Sequence, residues 1–537
     1  MKTHIFTVNV EEYFHVAVLS GVVLEKHWDR LEPRMEANLE FILDLLRRRQ
    51  ATATFFVYGR IAELDPDLVR RIVAEGHEVA SRGYQPQHLD EVSRQQLLAE
   101  IDRAKEVLEA AGANEILGFR APDWLGERHL WLLDELAARG YAYDASLNPA
   151  GWQRAGRTDL HTIHRHRGGP LWELPIATVG AAGLRLAISG GNYIRQFPHK
   201  LLKRVVAWKS RGESEPLVFY LHTWEVDPDE PELRGVPLLR RIRHYRRLGK
   251  PRWVFADYLS RYRFVGAADY LGLPHPGREP AVRPESLGVV PAAGAAAGVP
   301  VTLVVPLYNE RKTLRYLQRT LLELRRRLGG RYRVRFLLVD DGSGDDTPVE
   351  LERYFGDLDD CRIVRHDHNR GVAAAIFTGI READTEWVCS IDCDCSYDPS
   401  VLEEMLPMLE HADMATASPY HPQGRVYNVP GWRLFLSKTL SRLYSAVLGQ
   451  RLYTYTSCCR VYRRGAMLAH QPAHGGFLGI AEMLLSLHRT GGRIVEHPAV
   501  LESRLLGESK MKVGRTIVGH LGLLREAAVR RVRGAAS

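Results

Sequence analysis

Short apolar runs alternate along the chain with longer stretches that carry apolar residues on a helical period. In the first half this pattern predicts strands over 5–10, 53–57 and 78–80 and helices over 36–49, 67–75 and 93–111, the rhythm continuing through 130–139 and 216–221. Alternation of this kind over about 250 residues predicts a (β/α) barrel with its chemistry at the strand ends. The second half predicts strands over 301–305, 334–339, 362–365 and 387–391 and helices over 311–328, 346–354 and 371–382. There the expected fold is an open, doubly wound, Rossmann-like sheet, whose ligands sit beyond the carboxyl ends of the strands. The fold class is α/β throughout.

Between the halves the pattern stops. No charge occurs from 286 to 308, but Pro291, Pro300, Pro306, Gly288, Gly294 and Gly298 interrupt the run. It reads as an Ala/Gly/Pro linker entering a buried strand, not as a transmembrane helix. The expected organisation is 1–272, a linker over 273–299, and 300–537. A length of 537 residues agrees with two or three domains, and 45% hydrophobic with 26% charged residues excludes a disordered or collagen-like chain. The net charge of +8, spread over this length, gives little support for a nucleic-acid or membrane partner. All six cysteines follow residue 360, which suits reduced, intracellular use, and the Cys389, Cys393, Cys395 spacing is unusual for zinc. Glu11 and Glu12 arrive too early for a signal peptide, so a cytoplasmic location is expected.

Three carboxylate-bearing segments end successive strands of the second half: Pro306-Leu307-Tyr308-Asn309-Glu310, Val339-Asp340-Asp341-Gly342-Ser343 and Asp392-Cys393-Asp394. Residues two apart in extended chain project to one side, so Asp392 and Asp394 crowd two negative charges. A hard divalent ion shared with substrate phosphates relieves that crowding; the plainer reading is a solvated acidic turn. Asp340 and Asp341 are able to hydrogen-bond a ribose or base edge, with Gly342 letting the chain turn closely. His368-Asn369-Arg370-Gly371 precedes a small-residue helix whose N-terminus favours an anionic diphosphate.

With Gly507-Glu508-Ser509-Lys510-Met511 later in the chain, these motifs make 300–515 resemble a family-2 glycosyltransferase of GT-A fold, nearest the dolichol- or polyprenyl-phosphate sugar synthases. The resemblance implies a nucleotide-sugar donor held by Pro306, Tyr308, Asn309, Glu310, Asp340, Asp341, Gly342, Asn369 and Gly371, with Glu310 and Asp341 near base and ribose. It implies Mg²⁺ or Mn²⁺ on Asp392 and Asp394, stabilising the diphosphate leaving group, and inversion at the anomeric carbon. A phosphate acceptor needs no strong base, whereas a sugar hydroxyl does, and Glu482 is the family-like candidate. Arg504, Ser509 and Lys510 are expected to meet a polyprenyl-phosphate acceptor. The branch often has an arginine after the serine that follows the paired aspartates. Here Pro419 follows Ser418, which keeps a saccharide acceptor open, with Arg425 or Arg433 as substitutes. The basic tail around 525–533 suits a peripheral contact with the inner membrane face.

Residues 1–272 resemble a polysaccharide deacetylase of exopolysaccharide gene clusters. The match rests on Thr7-Val8-Asn9-Val10-Glu11-Glu12-Tyr13-Phe14, Ala53-Thr54-Phe55-Phe56-Val57, Gly76-His77-Glu78-Val79-Ala80-Ser81, Arg120-Ala121-Pro122 and Leu221-His222-Thr223-Trp224-Glu225. Asn9 stands where the family has its aspartate base, and an amide cannot accept the proton. The family's two histidine ligands fall on Arg82 and Pro86, neither of which can ligate zinc, while Glu11 stands in for the acidic ligand. Arg120 and His222 remain. The resemblance therefore implies a pseudo-deacetylase pocket without zinc, retained for glycan binding or docking; the alternative is a bifunctional enzyme that still deacetylates. The basic run from Arg240 to Arg247 reads as a solvated helix or an interdomain contact, with no nucleic-acid partner expected.

Overall fold

The computed structural model describes residues 2–16, 19–113, 115–150, 160–181, 184–212, 215–273, 298–429, 431–449, 452–507 and 513–534. The chain divides into two compact units. Met1–Val23, Pro33–Glu232 and Val236–Gly288 form the first; Leu24–Glu32, Leu233–Gly235 and Val289–Ser537 form the second. Residues 274–297 of the expected linker lie outside the described residues.

The first unit is built on a curled sheet with strands in the order Val218–His222, Thr3–Val10, Thr54–Val57, Glu78–Ser81, Gly118–Phe119, Tyr143–Asp144, Trp172–Glu173 and His164–Arg165. Pairing is parallel except at His164–Arg165. The Ala177 N–H donates to the Val218 carbonyl at 3.3 Å, bringing the far end of the sheet back to its first strand. Thr3–Val10 is buried on both faces from Ile5 onward, as a parallel strand covered by helices must be. One of those helices, Met35–Arg48, turns Leu39, Ile42, Leu43 and Leu46 inward. Another, Arg94–Ala110, starts at a capping box between Ser93 and Gln96.

The second unit has a seven-stranded sheet in the order Cys361–Arg365, Tyr332–Asp340, Val299–Leu307, Trp387–Ser390, Arg460–Arg463, Met414–Ser418 and Ile494–Pro498. Only Arg460–Arg463 runs antiparallel to its neighbours, a strand that the hydrophobic pattern did not reveal. It carries the buried Arg460, whose guanidinium donates to the carbonyls of Ile480 and Tyr455 at 2.8 and 2.7 Å. Strand order reverses between Val299–Leu307 and Trp387–Ser390, which opens a crevice beyond their carboxyl ends. Among the described residues no helix is long and apolar enough to cross a membrane.

Candidate active site

The three acidic segments meet at that crevice because neighbouring parallel strands deliver their carboxyl ends to one edge. Their side chains do different work there. The Asp341 N–H donates to the Leu307 carbonyl at 2.8 Å, tying the first two motifs together. Its carboxylate accepts from the N–H groups of Arg370 and Gly371 at 2.8 and 2.7 Å and pairs with the His366 ring at 2.8 Å. The expected ribose ligand is therefore already committed to the loop that carries Asn369. Ala374 N–H is likewise spent on the Gly475 carbonyl at 3.0 Å. Of the amides at the start of the helix Val372–Glu382, where a diphosphate is expected, those of Gly371 and Ala374 are thus held by the fold. Asn369 itself is exposed, and Pro306 is buried opposite Val339.

Asn309 also bridges loops: its side-chain oxygen accepts from Gly344 N–H at 2.8 Å, and its own N–H donates to Ser343 Oγ at 2.8 Å. Asp340 caps the same turn through Ser343 N–H at 3.0 Å and pairs with Arg365 at 3.2 Å. Gly342 has φ +70, and a Cβ there would stand 2.4 Å from the His368 carbonyl carbon, so the close turn expected of it requires glycine. Tyr308, half-buried, remains beside these clamps.

The reactive-looking cluster is Asp392, Asp394, Glu310 and Arg504. Asp394 accepts from Ser396 N–H and Oγ at 2.9 and 2.7 Å through one oxygen and from Arg504 Nε and Nη2 at 2.8 and 2.6 Å through the other. Arg504 Nη1 reaches Glu310 at 3.3 Å. Its position follows from pairing: Glu502 N–H donates to the Ser396 carbonyl at 2.9 Å and Leu501 bridges Tyr397, which lays 500–504 along the aspartate segment. Arg504, expected at an acceptor phosphate, instead spends its charge on two carboxylates. Asp392 has no ion pair among the described residues; burial and the Asp394 carboxylate push it above the ordinary aspartate range. An all-oxygen donor pair with excess negative charge fits Mg²⁺ or Mn²⁺, which take further ligands from phosphate and water. Among the described residues, no three His, Cys, Asp or Glu side chains converge as a metal cage.

Glu482, on the helix Phe477–Arg489, accepts from the His474 N–H at 3.0 Å and meets its ring at 3.2 Å, with no bond to the acidic cluster. Ser509 and Lys510 lie outside the described residues, as does the Arg433 side chain. Arg425 is exposed on the short strand Arg425–Tyr427, beside Val500–Glu502.

Missed altogether was Leu24–Glu32, which belongs to the second unit. Arg30 pairs with Glu323 at 2.8 Å and Asp398 at 3.1 Å; His27 joins Glu502 and the Tyr316 hydroxyl at 2.8 and 2.9 Å; Lys26 pairs with both Asp398 and Glu502. These cations grip the chain on both sides of the Asp394–Arg504 pair, and Arg30 holds the Asp398 carboxyl far below its ordinary range despite burial. Arg30→Ala leaves the buried Asp398 with only the longer, more exposed Lys26 contact at 3.5 Å, so a loss of roughly 2–3 kcal/mol in the stability of the second unit is expected. Calorimetry of the full chain reads it, and an unchanged transition refutes the grip.

In the first unit, Asn9, Glu11, Arg82, Arg120 and His222 converge at the strand ends. Arg82 Nη2 lies 3.1 Å from Glu11, whose other oxygen meets the His222 ring and Trp224 Nε1. Arg120 donates to Asn9 Oδ1, Thr7 Oγ1 and the Ala145 carbonyl at 2.9, 2.9 and 3.0 Å. The Arg82 guanidinium therefore sits on Glu11, the carboxylate expected to stand in for the acidic ligand. Pro86 supplies no ligand atom, and His88 is tied to Asp123 and Ser20 at 2.8 and 2.7 Å.

Comparison with known proteins follows the same division. Residues 302–469 match the model of glycosyl transferase family 2, 28–141 that of polysaccharide deacetylase, and 144–272 a domain of unknown function. Polyprenol monophosphomannose synthase of Mycolicibacterium smegmatis is 30% identical over 224 residues, 39% of this chain and 80% of that relative. Glycosyltransferase AglD of Haloferax volcanii is 28% identical over 233 residues, 43% of this chain and only 37% of that relative. Among solved structures, glucosyl-3-phosphoglycerate synthase from Mycobacterium tuberculosis with Mn²⁺, UDP and glucosyl-3-phosphoglycerate is similar at 17% identity and TM-score 0.34, covering 44% of this chain and 81% of that one.

Proposed function

Through its second half the chain belongs to glycosyl transferase family 2, and from that premise we propose that it moves a sugar from a nucleotide-sugar donor to polyprenyl phosphate. The observation that carries the reading is the Asp392, Asp394, Glu310 and Arg504 cluster at the reversal point of the sheet. Asp392 and Asp394 would hold Mg²⁺ or Mn²⁺, which supplies positive charge to the nucleoside-diphosphate leaving group. Arg504 orients Asp394 and tempers the charge of Glu310. An acceptor phosphate oxygen forms the new bond to the anomeric carbon as the bond to the diphosphate oxygen breaks on the opposite face, inverting the centre. Being ionised already, that acceptor asks for no general base, in keeping with a Glu482 committed to His474. The polyprenol in the name of the M. smegmatis relative, polyprenol monophosphomannose synthase, supports the lipid-phosphate acceptor.

The test is transfer by the full chain with Mn²⁺ or Mg²⁺, using labelled nucleotide sugars with and without polyprenyl phosphate. Label entering the organic phase, and lost in Asp392→Ala, supports the reading and identifies the donor. Donor hydrolysis without lipid product makes a saccharide hydroxyl the acceptor and gives Pro419 its meaning. For the first unit the Arg82–Glu11 pair supports a pocket that binds glycan without hydrolysing it. Stoichiometric zinc with acetate release from an acetylated oligosaccharide would make the chain bifunctional instead.

A further inference from the structure

The net charge of +8 is not spread evenly. Residues 191–212 and 236–256 together hold thirteen Lys or Arg and no Asp or Glu, so the rest of the chain carries five more acidic than basic side chains. Both segments lie in the first unit and are joined there. Arg195, on the helix Gly191–Gln196, donates to the Arg243 carbonyl at 3.3 Å. Lys250 donates to the Ile194 and Phe197 carbonyls at 2.6 Å each, and the His199 and Trp253 rings meet with centroids 4.8 Å apart.

The helix Leu238–Tyr245 is inverted relative to an ordinary surface helix. Leu238, Leu239 and Ile242 are 67%, 83% and 49% exposed, while the residue it buries is His244, paired with Glu230 at 2.6 Å. At 3.6 residues per turn the three apolar side chains share an arc of about 100°, and His244 lies on the opposite side. The apolar stripe therefore faces solvent, between Arg241 and Arg243. The neighbouring helix His199–Gly212 repeats the arrangement, with Leu201 and Trp208 exposed in line with Arg204 and Arg211, and Trp253 is exposed on Lys250–Arg261. Arg241 pairs with Glu232, Lys203 with Asp257 and Arg195 with Glu225. Arg204, Arg240, Arg243, Arg246 and Arg247 form no ion pair among the described residues.

We propose that this face of the first unit docks on an anionic lipid leaflet. The apolar stripe with two tryptophans would enter the headgroup boundary, and the arginines would meet lipid phosphates. Charge complementarity selects the leaflet. A nucleic acid would use the arginines and the rings but leave Leu238, Leu239 and Ile242 idle. The proposal stands apart from the transfer reaction, since lipid binding is read without it.

Full-length protein is floated with vesicles of phosphatidylcholine alone or mixed with phosphatidylglycerol, at low and high salt. Binding is expected only with phosphatidylglycerol, weakened by salt, and reduced about tenfold or more by Leu239→Glu with Ile242→Glu and, separately, by Arg240→Glu with Arg243→Glu. These positions are exposed, so unchanged thermal transitions check that the variants fold. No binding, equal binding to phosphatidylcholine alone, or insensitivity to the leucine and isoleucine changes overturns the proposal. So does single-stranded DNA that competes fully with vesicles and still binds the leucine and isoleucine variant.

Discussion

Asp394→Ala, and equally Asp392→Ala, are expected to abolish transfer. Removing one preorganised electrostatic contact from a reacting centre commonly costs about a hundredfold to a thousandfold in rate, and in the proposed mechanism the lost group would also hold the divalent ion. Asp394→Asn is the sharper variant. It keeps an oxygen for the Ser396 N–H and hydroxyl but removes the charge that pairs with Arg504 and that the proposed divalent ion would share. The turn should survive while activity falls, with the deficit growing as Mn²⁺ is lowered. Full activity in both alanine variants would remove the metal role.

A pH signature accompanies this. In the folded chain Asp392 is held above its ordinary range, so the metal-free protein binds more protons than the unfolded chain and loses stability as pH rises through that titration. A divalent ion bound at the ionised pair reverses the effect. Mn²⁺ should therefore raise the melting temperature more above neutrality than below it, and not at all in Asp392→Ala.

Arg82→Ala is expected to destabilise the first unit by roughly 3–5 kcal/mol, the usual cost of leaving a buried charge without its partner. Burial pushes the Glu11 carboxyl up, but Arg82 and then His222 overcome that and hold it at about 2. The folded pKa lies below the unfolded one. The contribution is complete above the ordinary glutamate range and is lost as pH falls toward 2. Half-buried His15, lowered to about 3 chiefly by desolvation, adds a loss that begins below its ordinary value of 6.5. Denaturant unfolding of the full chain, followed against pH, should show the Arg82→Ala deficit at its largest above the ordinary glutamate range and narrowing as pH falls, because protonation of Glu11 removes the unpaired buried charge. Glu11→Gln should rescue much of the deficit in the double variant. Additive losses would mean that Arg82 stabilises the unit by packing over Tyr58, 5.2 Å from its ring centroid, and not by neutralising Glu11.

Much of the molecule was legible in short stretches of chain. The helix predicted over 36–49 is Met35–Arg48, and the strand predicted over 334–339 is Tyr332–Asp340. Periodicity sufficed because each element's apolar face is written within a dozen residues. Gly342 and the crowding of Asp392 with Asp394 were equally readable, one from a turn and the other from residues two apart.

Other features depend on partners far away in the chain. Nothing near Arg30 announces Asp398 or Glu323, and nothing near Arg504 announces that its charge is spent on Asp394 and Glu310. The antiparallel strand Arg460–Arg463 and the outward stripe of Leu238–Tyr245 belong to the same class. A local pattern specifies which face of an element is apolar, but not what that face or a long charged side chain will meet. Sequence alone determined the two α/β halves and their family motifs. The tertiary structure decided which cation neutralises which carboxylate, because a buried charge takes the partner that folding brings within about 3 Å, whatever their separation along the chain.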